Sequence, residues 1–439
     1  MLPLKVTRMP RGQGDIVNIV YVSDQYWPSV SGVPVSMDSF KENFSSMGHT
    51  INMLVPDYPE AAEWDKSNAS TNIFRFSSRS VFFNKENRIV RGSEKKKIYA
   101  KLNALKPDLI HIHTEFSMAK IVIKYARKHK IPLVLTAHTN WEELINEYVK
   151  FIPHKLARFY CRSLLRRVFN KADRIIAPTT LMASRLHSYN ISSQIDVIPT
   201  GVNVKHFSRL SLNGKMSVNY KFDTIVDRVR GYKTLMYVGR LGREKNIKFL
   251  IDVFHKLTET HNDIKFVIVG GGPSRNELQA YVRQLDLEDL VLFTGFVERE
   301  MLKDFYSLAY VFIFGSKVES QGLVILESMT CGTPVVAIGE MGTKALMRRG
   351  RGGFMVKDDI DLFIEKVDLL LSDPEVYKSK AVEALQEAEE WRSEIMSERV
   401  LTLYEDLLIE KGRFNAIEIY EKHSLDNTDN IDYLKCSGS

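Results

Sequence analysis

Short apolar runs alternate with helix-patterned segments along almost the whole chain, and this rhythm restricts the fold more than any other feature. Ile16 to Val22, Ile51 to Val55, Leu109 to Ile112, Leu133 to Ala137, Ile175 to Ala177 and Val197 to Ile198 read as buried strands of a first half. Thr234 to Val238, Phe266 to Val269, Val291 to Phe293 and Val311 to Phe314 repeat the pattern in a second. Continuously apolar strands joined by helical crossovers belong to parallel sheets covered on both faces. The expected class is therefore α/β, with two Rossmann-like doubly wound parallel-sheet domains. Phe207 to Tyr232 is polar and lacks the rhythm, which puts the boundary nearby. The expected division is a flexible leader 1–14, a first domain 15–205, a second domain 206–390, C-terminal helices 391–424 packing back towards the first domain, and a disordered tail 425–439.

A chain of 439 residues can bury two such cores. Its 44% hydrophobic and 26% charged content is that of an ordinary soluble globular protein. Lys plus Arg at 61 against Asp plus Glu at 54 gives +7, a mild preference for anionic partners that does not choose among phosphates, nucleic acid and acidic lipid. Cys161, Cys331 and Cys436 have no metal-ligand spacing, so free thiols in a reducing compartment are expected. No signal-peptide core and no uncharged apolar stretch of about 18 residues is present. A cytoplasmic protein follows, with any membrane contact peripheral.

The densest chemistry lies between Phe314 and Ala337. A strand ends at Phe314, Gly322 permits a tight turn, and Leu323 to Met329 reads as a helix. Backbone N–H groups of Gly322, Leu323 and Val324 at the positive helix end would face a phosphate. Glu319 lies before the turn and Glu327 one turn into the helix, within reach of sugar hydroxyls. Taken alone, an ordinary βαβ turn with solvated acids reads equally well. Other strand exits supply company. Gly239, Arg240 and Lys245 follow the strand ending at Val238, where a guanidinium fork and an ammonium suit a diphosphate gaining charge as a bond breaks. Gly270 to Pro273, with Gly271 in the middle, makes a glycine turn where a nucleotide can approach the backbone. Phe296 and Val297 follow Thr294 and Gly295 beside the position of a base edge. No G-x-G-x-x-G follows the first strand, so the dinucleotide fingerprint is missing there.

Arg240 with Lys245, the Gly270 to Pro273 turn, and Glu319 and Glu327 eight positions apart resemble the donor site of retaining glycosyltransferases of the GT-B fold, in the large family that includes sucrose synthases and phosphatidylinositol mannosyltransferases. The resemblance runs from Ile16 to about Leu408. His113 to Phe116, Thr136 to Glu143 and Ile198 to Val202, with Gln321 where most of the family has Phe, are similar to the bacterial diacylglycerol glycosyltransferases. The chain departs from that subgroup at Ala137, usually Tyr, and at Ser31-Gly32, usually a glycine pair.

The resemblance implies transfer of a hexose, glucose or galactose, from a UDP-sugar to a lipid hydroxyl, 1,2-diacylglycerol, with retention and with no metal or other cofactor. It implies that Arg240 and Lys245 hold the diphosphate, Glu327 the ribose, and Glu319 the sugar near its reacting carbon, with His138 reaching the sugar from the other domain. Gly32, Gly239, Gly271, Pro273, Phe296, Val297, Gly322, Leu323 and Val324 would complete the donor site. His113, Trp141, Glu142 and Tyr148 would lie on the acceptor side.

A lipid acceptor calls for a membrane-facing surface, and His154 to Arg174 is the candidate. Drawn as a helix, Lys155, Arg158, Arg162 and Arg166 form one stripe with Leu156, Tyr160, Leu164 and Val168 nearly opposite. The reading sends Leu156 and Leu164 to the core and the basic stripe to anionic lipid, with Lys95 to Lys97, Lys101 and Lys106 extending the charge. Three other readings stand beside this one: the same chemistry on a sterol, phosphatidylinositol, polysaccharide or soluble acceptor; a sugar-nucleotide epimerase; and a nucleic-acid binder, favoured by pI alone.

Overall fold

The computed structural model describes residues 16–29, 31–67, 72–81, 84–142, 153–207 and 220–413. The leader 1–14, Tyr148, Cys436 and the tail 425–439 lie outside the described residues.

Among the described residues, nine strands occupy the first half: β1 (Asn18–Val22), β2 (Thr50–Pro56), β3 (Ile73–Phe76), β4 (Ser78–Val81), β5 (Asn84–Val90), β6 (Leu109–Ile112), β7 (Leu133–Thr136), β8 (Arg174–Ala177) and β9 (Gln194–Val197). Seven of them form a parallel sheet in the order β3-β2-β1-β6-β7-β8-β9, and β4 pairs with β5 as an antiparallel hairpin. The second half carries β10 (Lys233–Val238), β11 (Ile264–Val269), β12 (Val291–Gly295), β13 (Val311–Phe314), β14 (Val335–Ile338) and β15 (Gly353–Val356), a parallel sheet in the order β12-β11-β10-β13-β14-β15. Two doubly wound α/β domains result. The central strands are buried on both faces, which is why they read as unbroken apolar runs.

Each sheet reverses its winding once, between β1 and β6 and between β10 and β13. Beyond the carboxyl ends of strands at such a reversal the loops diverge and leave a crevice, which is where open α/β sheets take ligands. The topology therefore nominates the loops after β1, β6, β10 and β13.

The segment after Phe207 differs from its sequence reading. Tyr220–Val229 is a helix, and Phe222, Ile225 and Val229, three and four apart, seat it on the second core. Val202 and Phe207 also belong to that core. The helix Ser393–Glu410 returns to the first sheet, where Met396, Val400, Leu401, Tyr404, Leu407 and Leu408 pack with Val17, Ile19, Tyr21, Phe40 and Phe44. The outgoing and returning chains touch: Val202 N–H donates to Trp391 O at 2.8 Å, and Ser393 N–H to Val202 O at 2.8 Å.

Candidate active site

The loops leaving β10 and β13 meet at the second reversal. Lys245 Nζ lies 2.6 Å from Glu319 Oε2, with both side chains about one-fifth exposed. Tyr237, fully buried in β10, donates its hydroxyl to Arg240 O at 3.0 Å and so fixes the start of that loop, while Arg240 Nη1 stands 3.5 Å from Glu244 Oε1. The neighbouring glycine turn is zipped onto it. Leu241 N–H donates to Gly271 O at 2.8 Å and Ser274 N–H to Leu241 O at 2.9 Å. A Cβ on Gly270 would fall 2.0 Å from Gly239 O, so the approach of these two loops demands glycine. Phe296 lies at the exit of β12, 54% exposed, beside Gly271, and Pro273 is exposed.

After β13 the chain turns at Gly322, whose φ of 88° lies in the left-handed region, and enters the helix Leu323–Thr330, where Gly322 as N-cap has no side chain to cap the first N–H groups. Glu319 O accepts from Gly342 N–H at 2.8 Å, which braces the loop from β14's side. Glu327 is 2% exposed. Its Oε2 accepts from Tyr306 Oη at 2.8 Å and its Oε1 pairs with Arg299 at 3.0 Å, so it belongs to a buried network and touches neither Lys245 nor Glu319 among the contacts described. Arg299 and Tyr306 were not anticipated. Arg299 also lies 5.2 Å from the Phe207 ring centroid.

Across the seam, three histidines gather at the carboxyl ends of β6 and β7. His113 Nδ1 and His138 Nε2 are 3.0 Å apart with their rings stacked, and His111 contacts Tyr404 Oη at 2.5 Å and Thr136 Oγ1 at 2.7 Å. Burial depresses all three pKa values, that of His138 to about 4, so all are neutral at pH 7. His138 is part-exposed, whereas His113 is fully buried behind it. His113, which the resemblance placed on the acceptor side, is thus buried with His138 between it and the crevice. Asp24, after β1, accepts from the Ser117 hydroxyl and from Met118 N–H at the start of the helix Ser117–Lys128, and burial lifts its pKa to about 6. Gly32 opens the next helix, Gly32–Ser46.

Two further acids lie nearby. Glu115, 4% exposed, accepts from Trp141 Nε1 at 3.3 Å, and burial raises it to about 7. Glu142, 8% exposed, is ion-paired with Arg162 of the helix His154–Phe169. Arg162 also covers the Tyr189 ring, 5.3 Å from its centroid. This corrects two expectations: Glu142 is turned towards Arg162, and Arg162 is tied to the protein instead of sharing a free basic stripe. The apolar face of that helix is also rotated from the expected one. Leu165, Val168 and Phe169 are buried, while Leu156, Phe159, Tyr160 and Leu164 are exposed beside exposed Lys155, Arg166 and Arg167. Arg158 is half-buried. Among the described residues no helix is long and apolar enough to cross a membrane.

A profile for glycosyl transferases group 1 matches residues 222–390, and one for Glycosyltransferase Family 4 matches residues 30–206. Together they cover the strands of both sheets apart from β1. The chain belongs to the group 1 glycosyltransferases. Its architecture is the GT-B fold: it superposes on sucrose-phosphate synthase from Thermosynechococcus elongatus with a TM-score of 0.70 at 18% identity, over 90% of this chain and 100% of that one. Anabaena HepE in complex with UDP gives 0.69 at 16% identity, over 89% and 100%. By sequence this glycosyltransferase is 29% identical over 390 residues to the alpha-monoglucosyldiacylglycerol synthase of Streptococcus pneumoniae, covering 88% of this chain and 85% of the relative. The enzyme of the same name from Acholeplasma laidlawii is 24% identical over 397 residues, 88% and 96%. The activity is therefore sugar transfer, by a hexosyltransferase.

Proposed function

We propose that this glycosyltransferase moves a hexose from a UDP-sugar to the free hydroxyl of 1,2-diacylglycerol at a membrane surface, with retention of anomeric configuration. The observation that carries the lipid acceptor is the Arg162–Glu142 ion pair, which ties a helix with exposed Leu156, Phe159, Tyr160 and Leu164 to the loop that follows His138. An amphipathic helix with aromatic and basic residues outward lies in the headgroup region, and here it would bring the acceptor to the mouth of the crevice. The two diacylglycerol-glucosylating relatives support the same acceptor and favour glucose.

Lys245 and Arg240 are assigned to the diphosphate, with the helix start at Gly322 to Val324 adding its N–H groups. Charge developing on the leaving group is then met by fixed cations and dipoles, and no metal is assigned a role. Glu319, bonded to Lys245, is assigned to the sugar, and His138 to a sugar hydroxyl from the opposite side. Glu327 is assigned to the ribose, since two of a carboxylate's roughly four lone-pair sites are taken by Tyr306 and Arg299. Phe296 offers an exposed ring to the base, with Gly32, Gly239, Gly271, Pro273, Val297 and Leu323 lining the approach.

The test is a panel of UDP- and GDP-sugars against diacylglycerol in mixed vesicles, with chelator present, and the products compared with α and β standards. An α-hexosyl diacylglycerol made from UDP-glucose or UDP-galactose is the expected result. Transfer only to a water-soluble acceptor would remove the lipid assignment, and epimerised donor without transfer would point to an isomerase.

A further inference from the structure

Gln321 stands between Glu319 and the Gly322 turn, is 6% exposed, and uses both the oxygen and the nitrogen of its amide on one residue of the other domain. Its Oε1 accepts from Thr200 N–H at 2.9 Å and its Nε2 donates to Thr200 O. A side chain here does what a neighbouring strand would do, pairing both polar groups of one peptide unit. Buried amides are tolerated only when satisfied, and this one is satisfied solely by reaching across the domain seam among the bonds described.

The link continues on both sides. Thr200 Oγ1 lies 2.8 Å from Ser36 Oγ, both buried, and Ser36 belongs to the helix that opens at Gly32. Two residues after Thr200, Val202 makes the paired contacts with Trp391 and Ser393 where the chain crosses between domains. In the other direction, Glu319 is two residues away and bonded to Lys245. The loop that carries Glu319 is therefore pinned to the first domain at the point where that domain ends.

We propose that Gln321 is a positioning residue that sets the distance between the two halves of the catalytic crevice, holding the Lys245–Glu319 pair of the second domain at a fixed spacing from His138 of the first. This rests on the assignment of Glu319 and His138 to opposite sides of the donor sugar. The bonds that fix Arg240 and Lys245 lie within the second domain. Loss of the Gln321 amide thus frees the spacing while leaving the nucleotide grip intact.

The experiment uses full-length Gln321→Ala and Gln321→Glu. In Gln321→Ala, hydrogen exchange at the Thr200 amide accelerates about tenfold or more, kcat for transfer falls about tenfold, and UDP affinity measured calorimetrically stays within about twofold of wild type. In Gln321→Glu, the ionised carboxylate still accepts from Thr200 N–H but faces the Thr200 carbonyl without a proton. Its kcat therefore climbs towards wild type as pH falls through the carboxyl titration, a limb the wild type lacks, and the protonated form doubles as the folded control. Unchanged Thr200 exchange in Gln321→Ala, a wild-type pH profile in Gln321→Glu, or an equal loss of UDP affinity and kcat would each overturn the proposal. Wild-type protein that transfers no hexose would overturn the functional assignment instead, and Thr200 exchange would still decide whether the domains are locked here.

Discussion

Lys245 Nζ and Glu319 Oε2 lie 2.6 Å apart, brought from the ends of two strands that are adjacent in the sheet but about 75 residues apart in the chain. At roughly one-fifth exposure, an ion pair of this kind contributes about 0–1 kcal/mol to stability. Its value is geometric: a cation and a carboxylate held at the topological reversal before any substrate arrives. Lys245→Ala is expected to lower kcat/KM by about 10²–10³-fold and weaken UDP binding, as removal of a preorganised charge donor does. Glu319→Gln should lower kcat while leaving UDP affinity near wild type. Both variants should melt within a few degrees of the parent. Steady-state kinetics and calorimetry with UDP check this, and unchanged turnover in either variant contradicts the assignment.

The proposed membrane attachment divides into two separable parts. Arg166 and Arg167 are exposed and each is worth up to about 1 kcal/mol near anionic lipid, a contribution that salt screens. Phe159 and Tyr160, 66% and 65% exposed, would contribute by burial in the interface, which salt does not weaken. Arg166→Ser with Arg167→Ser should therefore weaken binding to anionic vesicles at low salt and flatten its salt dependence. Phe159→Ser with Tyr160→Ser should weaken binding at every salt concentration. Arg162→Ser should behave differently from both, because it breaks the Glu142 pair and frees the helix from the site loop. Sedimentation with vesicles of graded anionic content, at two ionic strengths, distinguishes these outcomes.

Glu115 gives a stability prediction with a definite sign. Burial raises its folded pKa to about 7, above the unfolded value, so its effect on stability is most favourable at low pH and is lost as pH rises from about 4.5 through 7. Above pH 7 the native state carries a buried carboxylate. Glu115→Gln keeps an acceptor for Trp141 Nε1 and removes that charge, so the variant should gain up to about 3 kcal/mol over wild type at pH 8. The gain should vanish near pH 4.5. Chemical denaturation at the two pH values measures it, and an equal difference at both would refute burial as the cause.

The strand rhythm and the charged loops were legible because each depends on residues close together in sequence. Lys245 and Glu319 were nameable as members of one site because both follow strand ends, and strand ends in doubly wound sheets share a side, but their direct ion pair was not. The orientation of the helix His154–Phe169 was not legible. Leu156, Phe159, Tyr160, Leu164, Leu165, Val168 and Phe169 put apolar side chains nearly all round it, and a shift of one residue turns a helix by 100°, so the sequence pattern leaves the buried face open. The network around Glu327 was hidden for another reason: Tyr306 and Arg299 are 21 and 28 positions earlier, on a helix whose placement follows from packing. The contact of Tyr404 with His111 lies further out of reach, since it depends on the final helix returning to the first sheet.

The His113–His138 contact leads to a prediction about protons. Two neutral imidazoles 3.0 Å apart through Nδ1 and Nε2 share one hydrogen, so one ring donates and the other accepts. His113 Nε2 is buried with no partner among the described residues. An unpaired N–H buried there costs more than a bare lone pair, so His113 carries its proton on Nδ1 and donates to His138. His138 then holds its own proton on Nδ1, the orientation of a ring that donates to a sugar hydroxyl. Ring ¹⁵N shifts should report His138 in the Nδ1–H form, and His113→Leu should abolish that preference and reduce kcat about tenfold without changing UDP affinity. The histidine pKa values are depressed below the unfolded 6.5, so their stabilising contribution is complete above pH 6.5 and is lost as pH falls below it, for His138 down to about 4. Transfer should accordingly show no ionisation limb near 6.5, whereas the histidines should lower the melting temperature between pH 7 and 5, against the opposite trend from Glu115, and His138→Asn should lose part of that lowering. A limb in kcat at 6.5 that disappears in His138→Asn would mean the ring is charged in the working enzyme and would reverse the tautomer assignment.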